Sequence, residues 1–155
     1  AASDVYKRQK VGRNMKKIHR MTEMEYINVI SLLFIGTIGM ARGSFFIFAS
    51  ETQVGKSPLY SSINEIIPLS IWGIPFFIGG LCLAIAAMAL PYRNINKVYS
   101  ITLILGGIIC SVFFFVITLA GISDSLNWMS PLIYFLTTLT CGGYAYFGVL
   151  HHAKQ

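Results

Sequence analysis

Charged residues are scarce in this sequence, and long stretches lack them altogether. Only 12% of the 155 residues are charged, about half of the roughly 25% that soluble proteins carry. The stretches 68–90 and 100–120 contain no charged residue at all. A soluble domain keeps one face of each helix wet with polar residues every three or four positions. Their absence here excludes an ordinary soluble fold.

Residues that usually carry chemistry are also few. Cys82, Cys110 and Cys141 stand in no C-x-x-C or Cys/His spacing, so they predict small apolar filler rather than a metal or redox site. The sequence shows no Ser–His–acid set, no glycine-rich phosphate loop and no paired carboxylates, the arrangements from which active sites are built. The adjacent His151 and His152 point in different directions on a helix. We therefore expect no enzymatic activity, no cofactor and no metal site.

Four long apolar runs make up most of what remains. Each is close to the roughly 20 residues with which an α-helix crosses a bilayer core of about 30 Å. They predict an all-α fold, a polytopic membrane protein built as a four-transmembrane-helix bundle. None contains an acidic residue, which argues against proton- or cation-coupled transport of the usual kind. The predicted spans are residues 26–48, 68–90, 98–121 and 131–150.

Basic residues are concentrated in the segments that alternate along the chain: before span one, between spans two and three, and after span four. Most of them precede the first span, Arg93 and Lys97 lie in the short second loop, and Lys154 follows the last span. Basic flanks stay cytoplasmic, so we expect an N-in/C-in bundle with residues 15–25 and 151–155 as cytoplasmic segments. A formal net charge of +6, placed in this way, indicates membrane topology and predicts no nucleic-acid partner.

The first nine residues, AASDVYKRQ, resemble the translation of a transposon-end adapter used in sequencing libraries. The resemblance predicts that residues 1–14 are a non-native leader, which is left out of fold reasoning. The natural start is then expected at Met15, with Met21 as the alternative. The competing interpretation is a real basic arm that binds anionic lipid.

Glycines recur in every predicted span, several of them at small-xxx-small spacing. Helices in lipid associate by close approach of their backbones, which small residues permit. We therefore expect the spans to pack tightly on one another or on other copies of the chain, as a homo-oligomer. Pro75 removes a helical hydrogen bond and should bend span two. The glycines expected to matter are Gly39, Gly43, Gly80, Gly107 and Gly143.

Arg42 is the one charge inside a predicted span. Counted from Tyr26 at about 1.5 Å per residue, it lies roughly 24 Å along span one. A charge at that depth costs about 1–3 kcal/mol unless it snorkels or pairs. The favoured interpretation is an anchor that reaches the outer headgroups. An ion pair with Glu65 or Glu51 is the alternative, and a substrate-binding role is a third.

Loop one, residues 50–67, is the only substantial segment predicted to lie outside the membrane. Ser57 and Pro58 indicate a helix start, because an N-cap residue is followed by proline at the first helical position. The apolar residues that follow share one face, which predicts a two-turn helix in the outer interface. They are Leu59, Ile63, Ile66 and Ile67.

Span four carries a mildly polar stripe of Thr137, Cys141 and Tyr144, with Thr140 beside it. Threonines in such spans usually bond to their own helix backbone or across a helix interface, and this is the favoured interpretation. The alternative is that the stripe lines a wet pore in an oligomer.

The stretch from residues 40–43 (MARG) through loop one to residues 72–73 (WG) resembles small multi-span membrane proteins of tailed phages and prophages. That group includes holins, which open the bacterial membrane to a lytic enzyme. Met15 and Met21, with basic residues between them, are similar to the dual starts of several holins. The resemblance implies a holin-like protein in the bacterial cytoplasmic (inner) membrane, with the lipid bilayer as its partner.

Two other hypotheses use the same features. A non-lytic interaction or scaffold protein, such as an exclusion factor or an envelope-complex subunit, would pack its glycine-rich faces and outer loop against a membrane-protein partner. A small transporter or channel is less well supported, because the predicted spans lack the charges that such proteins use.

Overall fold

The computed structural model describes residues 22–53, 58–93, 97–123 and 127–153. These residues form helices and contain no strand, and four of the helices are long and apolar enough to cross a membrane. The predicted fold class is therefore confirmed, and the chain is a multi-pass membrane protein. The helices are span one (Glu23–Gln53), the loop-one helix (Pro58–Ile66), span two (Leu69–Ala89, continued by the 3-10 turn Leu90–Tyr92), span three (Val98–Ser123) and span four (Met129–His152).

Consecutive spans run antiparallel. Gly36 lies against Ala84, while Gly43, farther along span one, lies against Gly73, earlier in span two. We call the end of the bundle at Glu23 the terminal end and the opposite end the distal end. Which end faces the cytoplasm stays a prediction.

Span one begins three residues before the predicted boundary, at Glu23 rather than Tyr26. The helix begins earlier because residues 22–25 (TEME) have the T-x-x-E pattern of a helix cap. The Thr22 backbone N–H donates to Glu25 Oε2 over 2.8 Å, which is one half of a capping box. Glu25 thus belongs to the helix and not to the polar segment 15–25. The two proposed starts, with the leader before them, lie outside the described residues.

A helix in loop one is present as predicted, from Pro58 to Ile66. The proposed N-cap, Ser57, and the side chain of Leu59 lie outside the described residues. The predicted apolar face is only partly covered by the bundle, since Ile63 is buried whereas Ile66 is 76% exposed. At its end, the Asn64 side-chain oxygen accepts a hydrogen bond of 2.9 Å from the Leu69 N–H, which ties the loop-one helix to the start of span two.

Aromatic rings fill the core at the distal half of the bundle. Phe46, Phe76 and Phe114, from spans one, two and three, are almost fully buried. The Phe76 ring lies 5.7 Å from Phe46 and 5.0 Å from Phe114, in both cases edge to face, the arrangement that aromatic pairs prefer. This cluster joins three of the spans, and Phe114 also stacks on the Tyr134 ring of span four, with ring centres 6.3 Å apart.

Candidate functional site

Spans one and two meet at backbone distance. A Cβ added to Gly80 would lie 2.5 Å from the Gly36 carbonyl oxygen, and one added to Gly43 would lie 2.5 Å from the Phe77 nitrogen. Gly39 lies against Gly80 in the same seam. Because atoms do not approach this closely without a shift of backbone, only glycine fits these positions. Three of the glycines singled out in the sequence therefore lie in one helix seam.

The seams between spans two and three and between spans three and four are built in the same way. Gly79 and Gly106 face each other in the first. In the second, a Cβ on Gly107 would lie 2.7 Å from the Ala145 nitrogen. Gly148, which the sequence did not single out, closes the same seam at Ile104, where a Cβ would lie 2.8 Å from Ile104 Cγ1.

Two of the residues singled out in the sequence do not close a seam. Gly143 has nothing within 4 Å of an added Cβ, so it does not pack against another span of the same chain. Its contact with another copy of the chain stays a prediction. Pro75 lies inside span two, whose helix continues through it, and the expected bend stays a prediction.

The seam between spans one and four is different, because no glycine of the described residues makes a contact in it and polar side chains of both helices bridge it. Near the distal end, Arg42 Nη2 of span one donates a hydrogen bond to the Tyr134 hydroxyl of span four. The guanidinium carbon also lies 4.6 Å from the centre of the Tyr134 ring. Toward the terminal end, the Ser31 and Tyr144 hydroxyls are 2.5 Å apart and share a hydrogen bond. We call these four residues the bridged seam.

Arg42 therefore has a partner that the sequence did not indicate. It is half-buried and turned into the bundle, with its guanidinium carbon also 5.3 Å from the centre of the Phe46 ring. Cation–π contacts of this kind contribute about 0.5–2 kcal/mol. Glu65 is exposed, and among the described residues no carboxylate lies within ion-pair distance of Arg42. The side chain of Glu51, the other proposed partner, is outside the described residues.

A cleft of about 560 Å³ lies at the terminal end of the bridged seam. Its floor is the start of span three, and span one and span four form its walls. Glu25 of span one and Arg93 of loop two make an ion pair there, with Oε1 and Nη2 2.5 Å apart. The Glu25 side chain is only 12% exposed, and that of Arg93 28%. The polar residues of the lining are Glu25, Asn28, Arg93, Tyr99, Tyr144 and His151.

This cleft corrects one inference from the sequence. The predicted spans contain no acidic residue, yet the longer first helix brings Glu25 into the bundle beside Arg93. Behind the pair, the Tyr99 ring packs edge to face on His151, with centroids 5.5 Å apart. The signal that was missed is the T-x-x-E cap, which moves the helix start toward the amino terminus.

The threonines of the span four stripe bond to their own helix. Thr137 Oγ1 donates to the Ile133 carbonyl over 2.8 Å, and Thr140 Oγ1 donates to the Leu136 carbonyl over 2.9 Å. The favoured interpretation of these two residues is therefore confirmed. Tyr144 reaches span one through its hydroxyl, and the buried Cys141 lies against Cys110 of span three.

Cys110 and Cys141 are fully buried and Cys82 is half-buried, and all three are free thiols. Within the ranges that the structure describes, no group of three His, Cys, Asp or Glu residues is placed to hold a metal ion. Comparison with protein-family models, with curated proteins and with solved structures gave no match. The inference about function therefore depends on the bridged seam and the terminal cleft.

Proposed function

We propose that this chain is a holin-like membrane protein of phage or prophage origin, which permeabilises the bacterial cytoplasmic membrane without an enzymatic step. The observation that carries the proposal is the bridged seam. Three seams of the bundle are fixed by backbone contact at glycines, whereas spans one and four are joined through the side chains of Arg42, Tyr134, Ser31 and Tyr144. Both termini are proposed to face the cytoplasm, because the basic flanks lie at the terminal end of the bundle and basic flanks stay cytoplasmic.

Opening of this seam supplies a physical route to a membrane lesion. When spans one and four separate, their polar side chains lose their partners within the chain. In lipid each unsatisfied polar group costs several kcal/mol, so the opened form is driven to pair with other copies or with water. A ring of opened copies would then place Arg42, Ser31 and Tyr144 toward an aqueous opening.

Span four offers the surface for such an assembly. Only 17% of the residues in its most apolar stretch are buried, against 50% in span two. Gly143 lies on this uncovered helix with open space above it, and a small residue in lipid permits close approach of a second helix. A holin-like protein requires self-association, and span four is the helix that one copy leaves most available.

The test is lysis that depends on a lytic enzyme. The chain is expressed from Met15 in bacteria together with a cytoplasmic endolysin that has no export signal of its own. We expect abrupt lysis at a reproducible time, and only when the endolysin is present. Continued growth, with the protein verified in the membrane fraction, would reject the holin-like proposal.

A non-lytic interaction protein is the second candidate, and the same uncovered face of span four favours it. A partner membrane protein in place of another copy would then cover Gly143. Cross-linking from a photoreactive residue at position 143 separates the two proposals. Products at multiples of the chain mass support self-association, whereas a product with a different protein supports the scaffold role.

A further inference from the structure

We propose that the terminal cleft binds one molecule of phosphatidylethanolamine from the surrounding bilayer. The inference goes beyond membrane permeabilisation and does not depend on it. It follows from the division of the cleft into a charged end and an apolar side, from the identity of the two charges, and from the opening of the apolar side toward lipid.

The lining of the cleft combines charged and apolar side chains, as a binding site for an amphiphilic molecule does. Its charged end is formed by the Glu25–Arg93 pair, with the Asn28 side chain and the Tyr99 hydroxyl next to it. The lining also contains apolar side chains, which are Met24 beside Glu25 and, on spans three and four, Leu103, Phe147 and Leu150. A purely polar solute would leave the apolar residues in contact with water, and a hydrocarbon would make no polar contact with the charged pair.

The apolar side opens toward the lipid-facing surface of the bundle. Phe147 is 63% exposed and Leu150 39%, whereas Leu103, at the floor, is 1% exposed. An acyl chain can therefore enter from the bilayer between spans one and four without leaving a hydrocarbon environment. A cleft of about 560 Å³ is within the roughly 300–1,000 Å³ range of small-molecule sites and accommodates a headgroup with the first part of its chains.

The two charges select the headgroup. Arg93 supplies a guanidinium, whose planar donors match phosphate oxygens, and Glu25 supplies a carboxylate for a cation. A headgroup that carries both a phosphate and a cation is complementary to the two charges, whereas an anionic headgroup would place a second negative charge beside Glu25. Ethanolamine is favoured over choline because its primary ammonium donates a hydrogen bond to the Glu25 carboxylate, which a quaternary ammonium cannot do.

The binding test uses tryptophan quenching in vesicles. Both native tryptophans, Trp72 and Trp128, belong to the distal end, so they are changed to phenylalanine and a single probe is introduced by Phe147→Trp. The matched control is Ile101→Trp in the same background. Ile101 is exposed near the start of span three and does not line the cleft. The full chain is reconstituted in phosphatidylcholine, with one brominated lipid added at a fixed fraction.

We expect brominated phosphatidylethanolamine to associate at position 147 about threefold more strongly than brominated phosphatidylcholine, the ratio expected for one added hydrogen bond in a membrane. At position 101 the two brominated lipids should quench the tryptophan fluorescence equally. Equal quenching at position 147 would overturn the proposal. So would stronger quenching by brominated phosphatidylglycerol than by phosphatidylethanolamine, since Arg93 alone would then govern the site.

Glu25→Gln tests the assignment of the carboxylate. Glutamine retains the capping-box hydrogen bond to Thr22, so the helix start is preserved while the negative charge is lost. The preference for phosphatidylethanolamine over phosphatidylcholine should disappear, with helical content unchanged. An undiminished preference in this variant would overturn the proposal. If the variant fails to fold, the comparison of positions 147 and 101 in the unaltered cleft still decides it.

Discussion

The bundle contains two kinds of helix seam. Where spans one and two meet, the backbones touch at Gly43 and Gly80, and the distance between the helices is fixed by contact of main-chain atoms. Where spans one and four meet, the contact is made by the ends of long side chains, Arg42 on Tyr134. A backbone contact is lost with a small displacement, whereas a long side chain keeps its hydrogen bond over a range of helix separations. Of the four seams among the described residues, the one between spans one and four is therefore adjustable.

The two kinds of seam also differ in the polarity of the side chains that they bury. The glycine seams carry few polar side chains across the helix boundary, such as Ser111 of span three, whose hydroxyl donates to the Thr138 carbonyl of span four over 3.1 Å. Their separation in lipid would therefore leave mainly apolar surface exposed. The bridged seam brings a guanidinium, two tyrosine hydroxyls and a serine hydroxyl into the bundle. These groups need partners in every state of the protein. The adjustable seam is therefore also the one whose opening has the largest electrostatic consequence.

The largest effect on stability is expected for a methyl group added to a glycine seam. Gly80→Ala places a Cβ 2.5 Å from the Gly36 carbonyl oxygen and should lower the free energy of unfolding by about 1–3 kcal/mol, because spans one and two must move apart. The measurement is an unfolding titration in mixed detergent micelles, followed by helical circular dichroism. Gly143→Ala is the matched control: with open space above it, the change should be neutral or stabilising by up to about 1 kcal/mol. Equal losses in both variants would contradict the assignment of the seams.

A smaller loss is expected from the distal bridge. Arg42→Lys keeps the charge but loses the planar guanidinium that packs on the Tyr134 and Phe46 rings. We expect the free energy of unfolding to fall by about 1 kcal/mol, the order of a cation–π contact. Had Arg42 been only an anchor to headgroups, lysine would serve equally well. An unchanged titration in Arg42→Lys, together with a Tyr134→Leu variant that does not couple to it in a double-mutant cycle, would refute the bridge.

The smallest effect is expected at the Ser31–Tyr144 hydrogen bond. Tyr144→Phe keeps the ring and removes the hydroxyl, and it should cost about 0.6 kcal/mol, the average for hydrogen bonds between membrane helices. Ser31→Ala should cost a similar amount, and the double variant should cost no more than either single one, since all three remove the same bond. Additive losses in the same detergent titration would show that the two hydroxyls act separately.

Much of the fold was predictable from the sequence because lipid imposes simple rules. The lengths of the spans and the small residues within them follow from the thickness of the bilayer and from close helix approach. The boundary of span one was misplaced because Glu25 was judged by its charge and not by its place in a T-x-x-E cap. Gly148 was overlooked because it stands alone near the end of span four.

The bridged seam was beyond sequence reasoning for a different reason. Arg42 and Tyr134 are 92 positions apart, and no local pattern indicates which of several tyrosines a buried guanidinium will reach. The nearest acids in the sequence, in loop one, suggested an ion pair instead. The Glu25–Arg93 pair was equally hard to predict, because it depends on where the 3-10 turn after span two places Arg93 relative to the start of span one.

The most direct test of the account fixes the adjustable seam in one position. Ser31→Cys and Tyr144→Cys are combined, a short bismaleimide is added to cells that express the chain with the cytoplasmic endolysin, and the time of lysis is recorded. The Ser31→Cys single variant with the same reagent serves as the control. We expect the untreated double variant to lyse at or before the usual time, and cross-linking to prevent or strongly delay lysis in the double variant alone. Lysis at the same time with spans one and four covalently joined would contradict the claim that this seam opens.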